Sequence, residues 1–414
     1  MREGYKKTVL GEIPEEWTVK NLSEINEPNT KISYGVVQPG PEDINGVLFI
    51  RGGDIKSGKI NNNLRTITNE VSAKYTRTIL RGGELLVSLV GYPGECAIVP
   101  MELKGANIAR QVGIVRITNE IDSNYIKQYL SSASGKKNLL GNLVGSAQQV
   151  INLDMLRKVN IPLPPLPEQQ KIANILSTVD QKIENIEQQI TENTQLKKGL
   201  MQKLLTKGIG HTKFKDSPLG EIPESWEDCT FGDIVSFSGG AQPPRSTFKY
   251  EPQDGYIRLI QTRDYKSDKY VTYIPEELAR KRCNENDIMI GRYGPPIFQI
   301  LRGLKGAYNV ALLKAIPNKE KLDDEYLYYY ISQYNVWAFV ENLSQRSGGQ
   351  TGVDLIQLRK YPFPLPPVEE QQKIATILTR VDNKLEVLQN KKTEYQQLKK
   401  GLMQQLLTGK IRTV

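Results

Sequence analysis

The sequence predicts two tandem copies of one α/β (α+β) domain, each followed by a long helix. The two helices are expected to pack as an antiparallel coiled coil, which makes the chain an internal repeat with pseudo-twofold symmetry. Three observations predict this. LGEIPEEW at Leu10–Trp17 returns with one letter changed as LGEIPESW at Leu219–Trp226. PLPPLPEQQKIA at Pro162–Ala173 returns as PLPPVEEQQKIA at Pro364–Ala375. Each second word then runs into a stretch with apolar residues at alternating spacings of four and three, the seam pattern of a coiled coil. Repeats are weighed first because a missed repeat misassigns the whole fold.

The elements follow in order. Residues 1–160 form the first domain, with strands expected at Gly46–Ile55, Leu85–Leu89, Ala97–Val99 and Gln111–Ile117 and a helix at Ser123–Leu130. Residues 161–208 carry the first long helix and residues 209–361 the second domain. Its strands are expected at Tyr256–Ile260, Asp287–Ile290 and Ala311–Ile316, with a helix at Asp324–Tyr334. Residues 362–414 carry the second long helix. Short matches persist inside the domains. Phe49–Ile55 aligns with Leu259–Tyr265, Gly82–Ser88 with Asn284–Ile290, and Asn107–Ala109 with Asn309–Ala311. Gly145–Gln148 aligns with Ser347–Gln350, and Leu156–Lys158 with Leu358–Lys360. Between these matches the copies differ strongly. A frame that repeats around unlike contents suits two readers of different targets better than a duplicated enzyme, which would keep its catalytic words.

The first seam is read at Ile172, Leu176, Val179, Ile183, Ile186 and Ile190, with a resumption at Leu196, Leu200 and Leu204 after polar Asn193. The second is read at Ile374, Leu378, Val381, Leu385 and Leu388; it weakens at Lys392, continues at Tyr395 and resumes at Leu398, Leu402 and Leu406. Glutamates after the proline runs suit helix N-termini, and Gly208, Gly210 and Gly409 are expected stops. Gly199 and Gly401 inside the helices imply either a close backbone approach or a break. About 38 helical residues would span roughly 57 Å. Neither apolar stripe can be buried alone, so each is expected to cover the other.

Composition excludes several classes. With 38% hydrophobic and 24% charged residues the chain is too apolar for global disorder. No apolar run is long enough for a membrane span, and the first residues carry no secretory h-region. Cys96, Cys229 and Cys283 are odd in number and far apart, which fits free thiols in a reducing cytoplasm. The single histidine, His211, leaves no Ser-His-Asp or Cys-His set and no His-based metal site. Gly53–Lys59 matches a phosphate-loop pattern by letters, but Ile60 stands where Ser or Thr is required, and Lys56–Lys59 reads as a hairpin turn. Pro295-Pro296 lacks the acidic or amide residue of a Pro-Pro-aromatic catalytic motif. Asp54 and Asp264 recur at one position and are read as turn residues.

A net charge of +9 and a pI near 9.1 are compatible with a polyanionic partner. The candidate DNA contacts in the first domain are Arg51, Lys56, Lys74, Arg77, Arg81, Arg110, Gln148 and Gln149. In the second they are Arg258, Gln261, Arg263, Arg280, Lys281, Arg282, Arg292, Arg346 and Gln350. Arg and Gln suit base edges, whereas Lys more often meets phosphate. Tyr326, Tyr328, Tyr329, Tyr330 and Tyr334 are spaced for helix packing rather than base stacking.

The duplicated words, with both helices ending in QLKKGLM at Gln195–Met201 and Gln397–Met403, resemble the specificity subunit of type I restriction-modification systems. The resemblance covers essentially the whole chain, twice in the same order. It implies two target-recognition domains that each read half of a split sequence in double-stranded DNA, with the paired helices as spacer. It implies two adenine-methyltransferase subunits as partners, with two restriction subunits as a further pair. S-adenosylmethionine, ATP and Mg would belong to those partners, with no cofactor, metal or catalytic residue in this subunit. The competing expectations are a DNA-independent coiled-coil adaptor and a self-sufficient modification enzyme.

Overall fold

The computed structural model describes residues 2–141, 150–344 and 352–413. The chain divides into two compact units, Met1–Gln188 with Gln389–Val414, and Gln189–Leu388.

In the first unit the repeated words meet through a buried polar contact. Trp17, at the end of the first word, is wholly buried, and its Nε1 donates to Glu168 Oε2 at 3.1 Å. Glu168 also accepts from Arg412 Nε at 2.8 Å and Nη2 at 3.0 Å, and from the Thr413 amide at 3.3 Å. A buried carboxylate is costly unless it is paired. Burial pushes the Glu168 carboxyl up, but the guanidinium, amide and indole donors together hold it below its ordinary value. The next letter of the word does different work. Gln169 donates to the Pro164 carbonyl at 2.8 Å and accepts from the Asp122 amide at 3.0 Å. Asp122 in turn caps the helix Ser123–Ser131 by accepting from the Tyr125 amide. Thr18–Asn21 pairs antiparallel with Asn160–Leu163, whose proline is tolerated in a two-stranded sheet.

The second unit repeats this plan with one exchange. Trp226 Nε1 donates to Glu370 Oε2 at 3.0 Å, while His211 Nε2 lies 2.8 and 3.0 Å from the two Glu370 oxygens. Gln371 bonds the Pro366 carbonyl and the Asp323 amide, each at 2.8 Å. The helix stops are as expected: Gly208, Gly210 and Gly409 have φ of +64°, +73° and +69°. At two of them a side chain would also collide. A Cβ on Gly409 would sit 2.4 Å from Pro14 Cδ, and one on Gly208 would sit 2.8 Å from Trp226 Cζ2.

Each unit carries a four-stranded antiparallel sheet. In the first its order is Cys96–Ile98, Leu85–Ser88, Val112–Val115, Ser33–Tyr34. In the second it is Ile300–Leu301, Ile288–Gly291, Leu312–Pro317, Val235–Gly239. Each unit also has a parallel pair: Val47–Ile50 with Asn107–Ile108, and Tyr256–Ile260 with Gly306–Tyr308. The registers correct two expected matches. Leu85–Ser88 corresponds to Ile288–Gly291, one residue later than the letters suggest, because Glu84 and Asp287 make the same bond, to the amides of Arg81 and Asn284. Asn107–Ala109 corresponds to Ala307–Asn309, since Ala109 and Asn309 both donate to the carbonyl that ends the neighbouring strand. A shared Asn and Ala misled the letter alignment, and a single-residue slip would have reversed the buried face. Phe49–Ile55 and Leu259–Tyr265 align as expected. Gly145–Gln148 and Ser347–Gln350 lie outside the described residues. The expected helix Asp324–Tyr334 ends at Ile331, and a second begins at Tyr334.

The long helices, Leu166–Lys207 and Val368–Leu406, run unbroken through Gly199 and Gly401. A Cβ at either glycine would meet nothing within 4 Å, so neither a break nor a close approach explains them. In the first unit Asp180 pairs with Lys399 at 2.7 Å and Glu187 with Lys392 at 2.9 Å. One heptad forward on one helix is one heptad back on the other, which defines an antiparallel register. Ile172 and Leu176 share a core with Leu406 and Leu407. In the second unit Lys197 pairs with Asp382 at 2.6 Å, and Leu204 and Leu205 share a core with Ile374 and Leu378.

Val179, Ile186 and Leu388 are also buried, and Ile183, Ile190, Val381 and Leu385 are half-buried. The expected resumptions hold at Leu200, Leu204, Leu402 and Leu406 but fail at their first residues. Leu196 and Leu398 are 51% and 49% exposed. The seam instead keeps its spacing through Asn193, Lys197, Leu200 and Leu204, and through Lys392, Tyr395, Lys399, Leu402 and Leu406. Lysines are admitted there because each meets a carboxylate of the opposite helix. Leu176→Ala should therefore destabilise the chain by about 2–5 kcal/mol. Leu196→Ala should stay within about 0.5 kcal/mol, as at other surface positions. Denaturant unfolding of the two variants measures the difference, and equal losses would contradict this seam.

Candidate nucleic-acid interface

In the first unit the basic residues come from three stretches of chain. Arg51 and Arg110 follow the two strands of the parallel pair, joined by the Ala109 amide donating to the Ile50 carbonyl at 2.9 Å. Arg51 Nε and Nη2 donate to Asp54 at 3.0 and 3.1 Å, while Arg110 is exposed without a side-chain partner. Asp54 is buried and accepts from the Arg51 amide at 2.8 Å, so its turn role holds. Lys56 lies on the hairpin Ile55–Lys56 and Lys59–Ile60, whose turn residues Ser57 and Gly58 have φ of +52° and +81°. That is a tight hairpin turn rather than a phosphate loop.

Lys74, Arg77 and Arg81 lie on the third stretch. Lys74 and Arg77 are exposed, whereas Arg81 Nη1 lies 3.3 Å from Glu27 Oε2. The stretch is held from below by two buried residues. Asn107 Nδ2 donates to Ser72 Oγ at 3.1 Å, and its Oδ1 accepts from Thr78 Oγ1 at 2.7 Å. Arg116 donates to the carbonyls of Arg77 at 3.0 Å and Ile79 at 3.1 Å. Arg116 and Glu84 are 7% and 4% exposed and lie 3.7 Å apart, and Arg116 Nε has no hydrogen-bond partner. Burial lowers the Arg116 pKa against the pull of Glu84. Arg116 was not singled out from the sequence, although a lone arginine in the apolar run Gln111–Ile117 was a readable signal.

In the second unit Gln261 and Arg263 sit on the turn after Tyr256–Ile260, over the buried Asp264. Gln261 Nε2 donates to Thr272 Oγ1 at 3.3 Å. Arg263 and Lys269 stand 5.8 and 5.2 Å from the ring centre of Tyr270, which is 57% exposed. Five candidates are engaged within the unit: beside Gln261, Arg263 donates to the Tyr270 carbonyl at 3.3 Å and lies 3.7 Å from Asp264. Arg258 pairs with Asp268 at 2.8 Å, Arg282 with Glu276 at 2.9 Å, and Lys281 donates to Ser238 at 3.0 Å. Arg280 is exposed and unpaired, and Arg292 lies over Tyr293 at 5.4 Å. Gln148, Gln149, Arg346 and Gln350 lie outside the described residues. Tyr326, Tyr329 and Tyr330 are buried as expected and Tyr328 is half-buried, but Tyr334 is 73% exposed against Trp337.

Among the described residues no group of three or more His, Cys, Asp or Glu is arranged to hold a metal. No described helix is long and apolar enough to cross a membrane. Burial pushes the thiols of Cys96 and Cys283 up to about 11 and that of Cys229 up to about 12, which suits inert side chains.

The profile of the type I restriction modification DNA specificity domain matches this chain twice, over residues 14–195 and 223–397. The chain belongs to that family. A protein of Methanocaldococcus jannaschii described as the MjaX type I restriction enzyme specificity subunit is 32% identical over 99% of this chain and 97% of its own length. The MjaVIII specificity subunit of the same organism is 34% identical over 63% of this chain and 64% of its own. The crystal structure of a type I restriction-modification system S subunit from M. genitalium superposes with a TM-score of 0.59 at 16% identity, covering 94% of this chain and 96% of that one. That likeness supports the fold. As a specificity subunit the chain is a non-catalytic member of its system, and the adaptor and self-sufficient enzyme readings fall away.

The support beneath this subunit's basic stretch can be tested. Arg116→Met leaves Glu84 buried without its cation and should cost about 3–5 kcal/mol, as removal of one buried partner does. Pairing it with Glu84→Gln should recover part of that loss in thermal unfolding. No recovery would mean that the two groups are not coupled.

Proposed function

We propose that the chain reads a split sequence in double-stranded DNA, one half with each unit, and that its paired helices set the number of base pairs between the halves. The observation that carries this reading is the contrast within the repeat. The anchors Trp17–Glu168 and Trp226–Glu370 are the same in kind, while the residues on the turns after the parallel pairs differ. A frame kept in duplicate beneath unlike exposed polar turns lets each half-site be read independently. The balance of +9 supplies sequence-independent attraction to phosphate, which makes binding steeply dependent on salt.

In this reading two methyltransferase subunits and two restriction subunits dock on the chain in the cytoplasm. Methyl donor, ATP and Mg are used by those partners.

Exchange of residues 31–157 for the corresponding segment of another family member tests modularity. Methylome sequencing should then show one half of the target changed and the other retained. A change in both halves would defeat the modular reading. Insertion of one heptad into each long helix adds about 10 Å, so the gap should grow by about three base pairs. An unchanged gap in the methylome would remove the spacing role.

A further inference from the structure

We propose that the residue directly after the first strand of the parallel pair is a base-reading position in both units, and that Arg51 at this position reads a guanine. The inference deepens the DNA-reading function above and rests on it.

The geometry begins with the turn. Val47–Ile50 ends at Arg51, and Gly52–Asp54 form one turn of 3-10 helix. Asp54, 5% exposed, binds the Arg51 amide and also takes Nε and Nη2 of its side chain. One whole edge of the guanidinium is thereby fixed against a buried carboxylate. Nη1 has no partner among the described residues, and the side chain is 45% exposed. A planar fork held in this way loses little freedom on binding and offers its remaining edge at a set angle. Guanine presents two adjacent acceptors, O6 and N7, to such an edge in the major groove. Near Arg51, Gly53 is exposed, whereas Gly52 is buried where a Cβ would lie 2.5 Å from the Val90 carbonyl oxygen. Gly52 and Gly53 add no side chains, and Tyr92, 53% exposed, stands 4.0 Å from where a Gly53 Cβ would be.

The second unit separates base reading from phosphate contact. Gln261 occupies the same place, with its amide donating to the buried Asp264 at 2.9 Å. A phosphate contact would favour a cation in both copies. Replacing Arg by Gln discards the charge but keeps the capacity for a bidentate contact, now matched to adenine. The aspartate survives the exchange. Since glutamine has no fork to offer it, Asp264 Oδ1 accepts no hydrogen bond from the described residues and instead lies 3.7 Å from Arg263 Nε. The anchor of the turn is constant, and the residue that varies on it alternates between two purine-reading types.

The test uses the full chain expressed with its methyltransferase partners. Methylome sequencing and competition binding would be run for the unaltered chain, Arg51→Gln and Arg51→Lys. Arg51→Gln should lose or alter the preference at one G·C pair in one half of the target. Discrimination there should fall by roughly 5- to 150-fold, and the other half should be unchanged. Arg51→Lys keeps the charge and should lose the same discrimination with its salt dependence intact, which serves if the glutamine variant does not fold. Gln261→Arg, with Asp264 Oδ1 free to accept a hydrogen bond in place of its longer ion pair with Arg263, should gain a guanine preference at one position of the other half. An unchanged target in the Arg51 variants overturns the assignment. So does uniform weakening on every sequence with a shallower salt slope, the mark of a phosphate contact. If the unaltered chain directs no split methylation pattern, the DNA-reading function itself fails, which is a distinct result.

Discussion

The bond from a buried tryptophan indole to a glutamate, buried in the first unit and half-buried in the second, organises each unit. It joins three distant parts of the chain: the word that opens the unit, the first turn of a long helix, and the segment that follows the other long helix. Without the indole and the cation or ring beside it, the carboxylate would be a charge stranded in the core, which proteins avoid at a cost of several kcal/mol. Its presence therefore specifies which segments must meet. The glutamine after it carries the specification one step further, to the aspartate that caps the next helix. Two successive letters thus orient the long helix against both the sheet frame and the helical layer.

This explains what could be read from the letters. The words recur around positions that are in contact: Ile13, Trp17, Ile172 and Ala173 are core residues, and Glu168 and Gln169 are bonded on several sides, while Gly11, Glu12, Glu15 and Glu16 between them are exposed. The apolar half of the seam was legible because burial there is paid in hydrophobic side chains. Its polar half was not, because Lys197, Lys392 and Lys399 are chosen for a carboxylate on another helix, and a single sequence does not reveal that partner. The exposed Leu196 and Leu398 then drew the pattern one residue out of step. The sheet registers were obscured in a similar way. The groups that set them are Glu84 and Asp287, which differ in letter but bond the same amide.

The interface was legible in kind and less so in detail. Exposed Arg and Lys on turns mark a surface, but the sequence does not say which are already occupied. Arg258, Arg282 and Lys281 have protein partners, whereas Arg110, Lys74, Arg77 and Arg280 have none among the described residues. Nor does a string of letters separate an arginine that faces solvent from one that lies beneath it. Arg116 is as basic as its neighbours, yet it holds two backbone carbonyls under the stretch that displays them. The tyrosines divide along the same line: helical spacing identified the buried ones, while Tyr270 gains its place from the cations around it.

Arg412 on Glu168 has a consequence for how the protein is made. Synthesis delivers the first unit's indole and carboxylate early, but their guanidinium follows Glu168 only after 244 residues. Trp226, His211 and Glu370 are all available some forty residues sooner. The anchor of the unit that begins first is therefore completed last, and the second unit's anchor is complete before it.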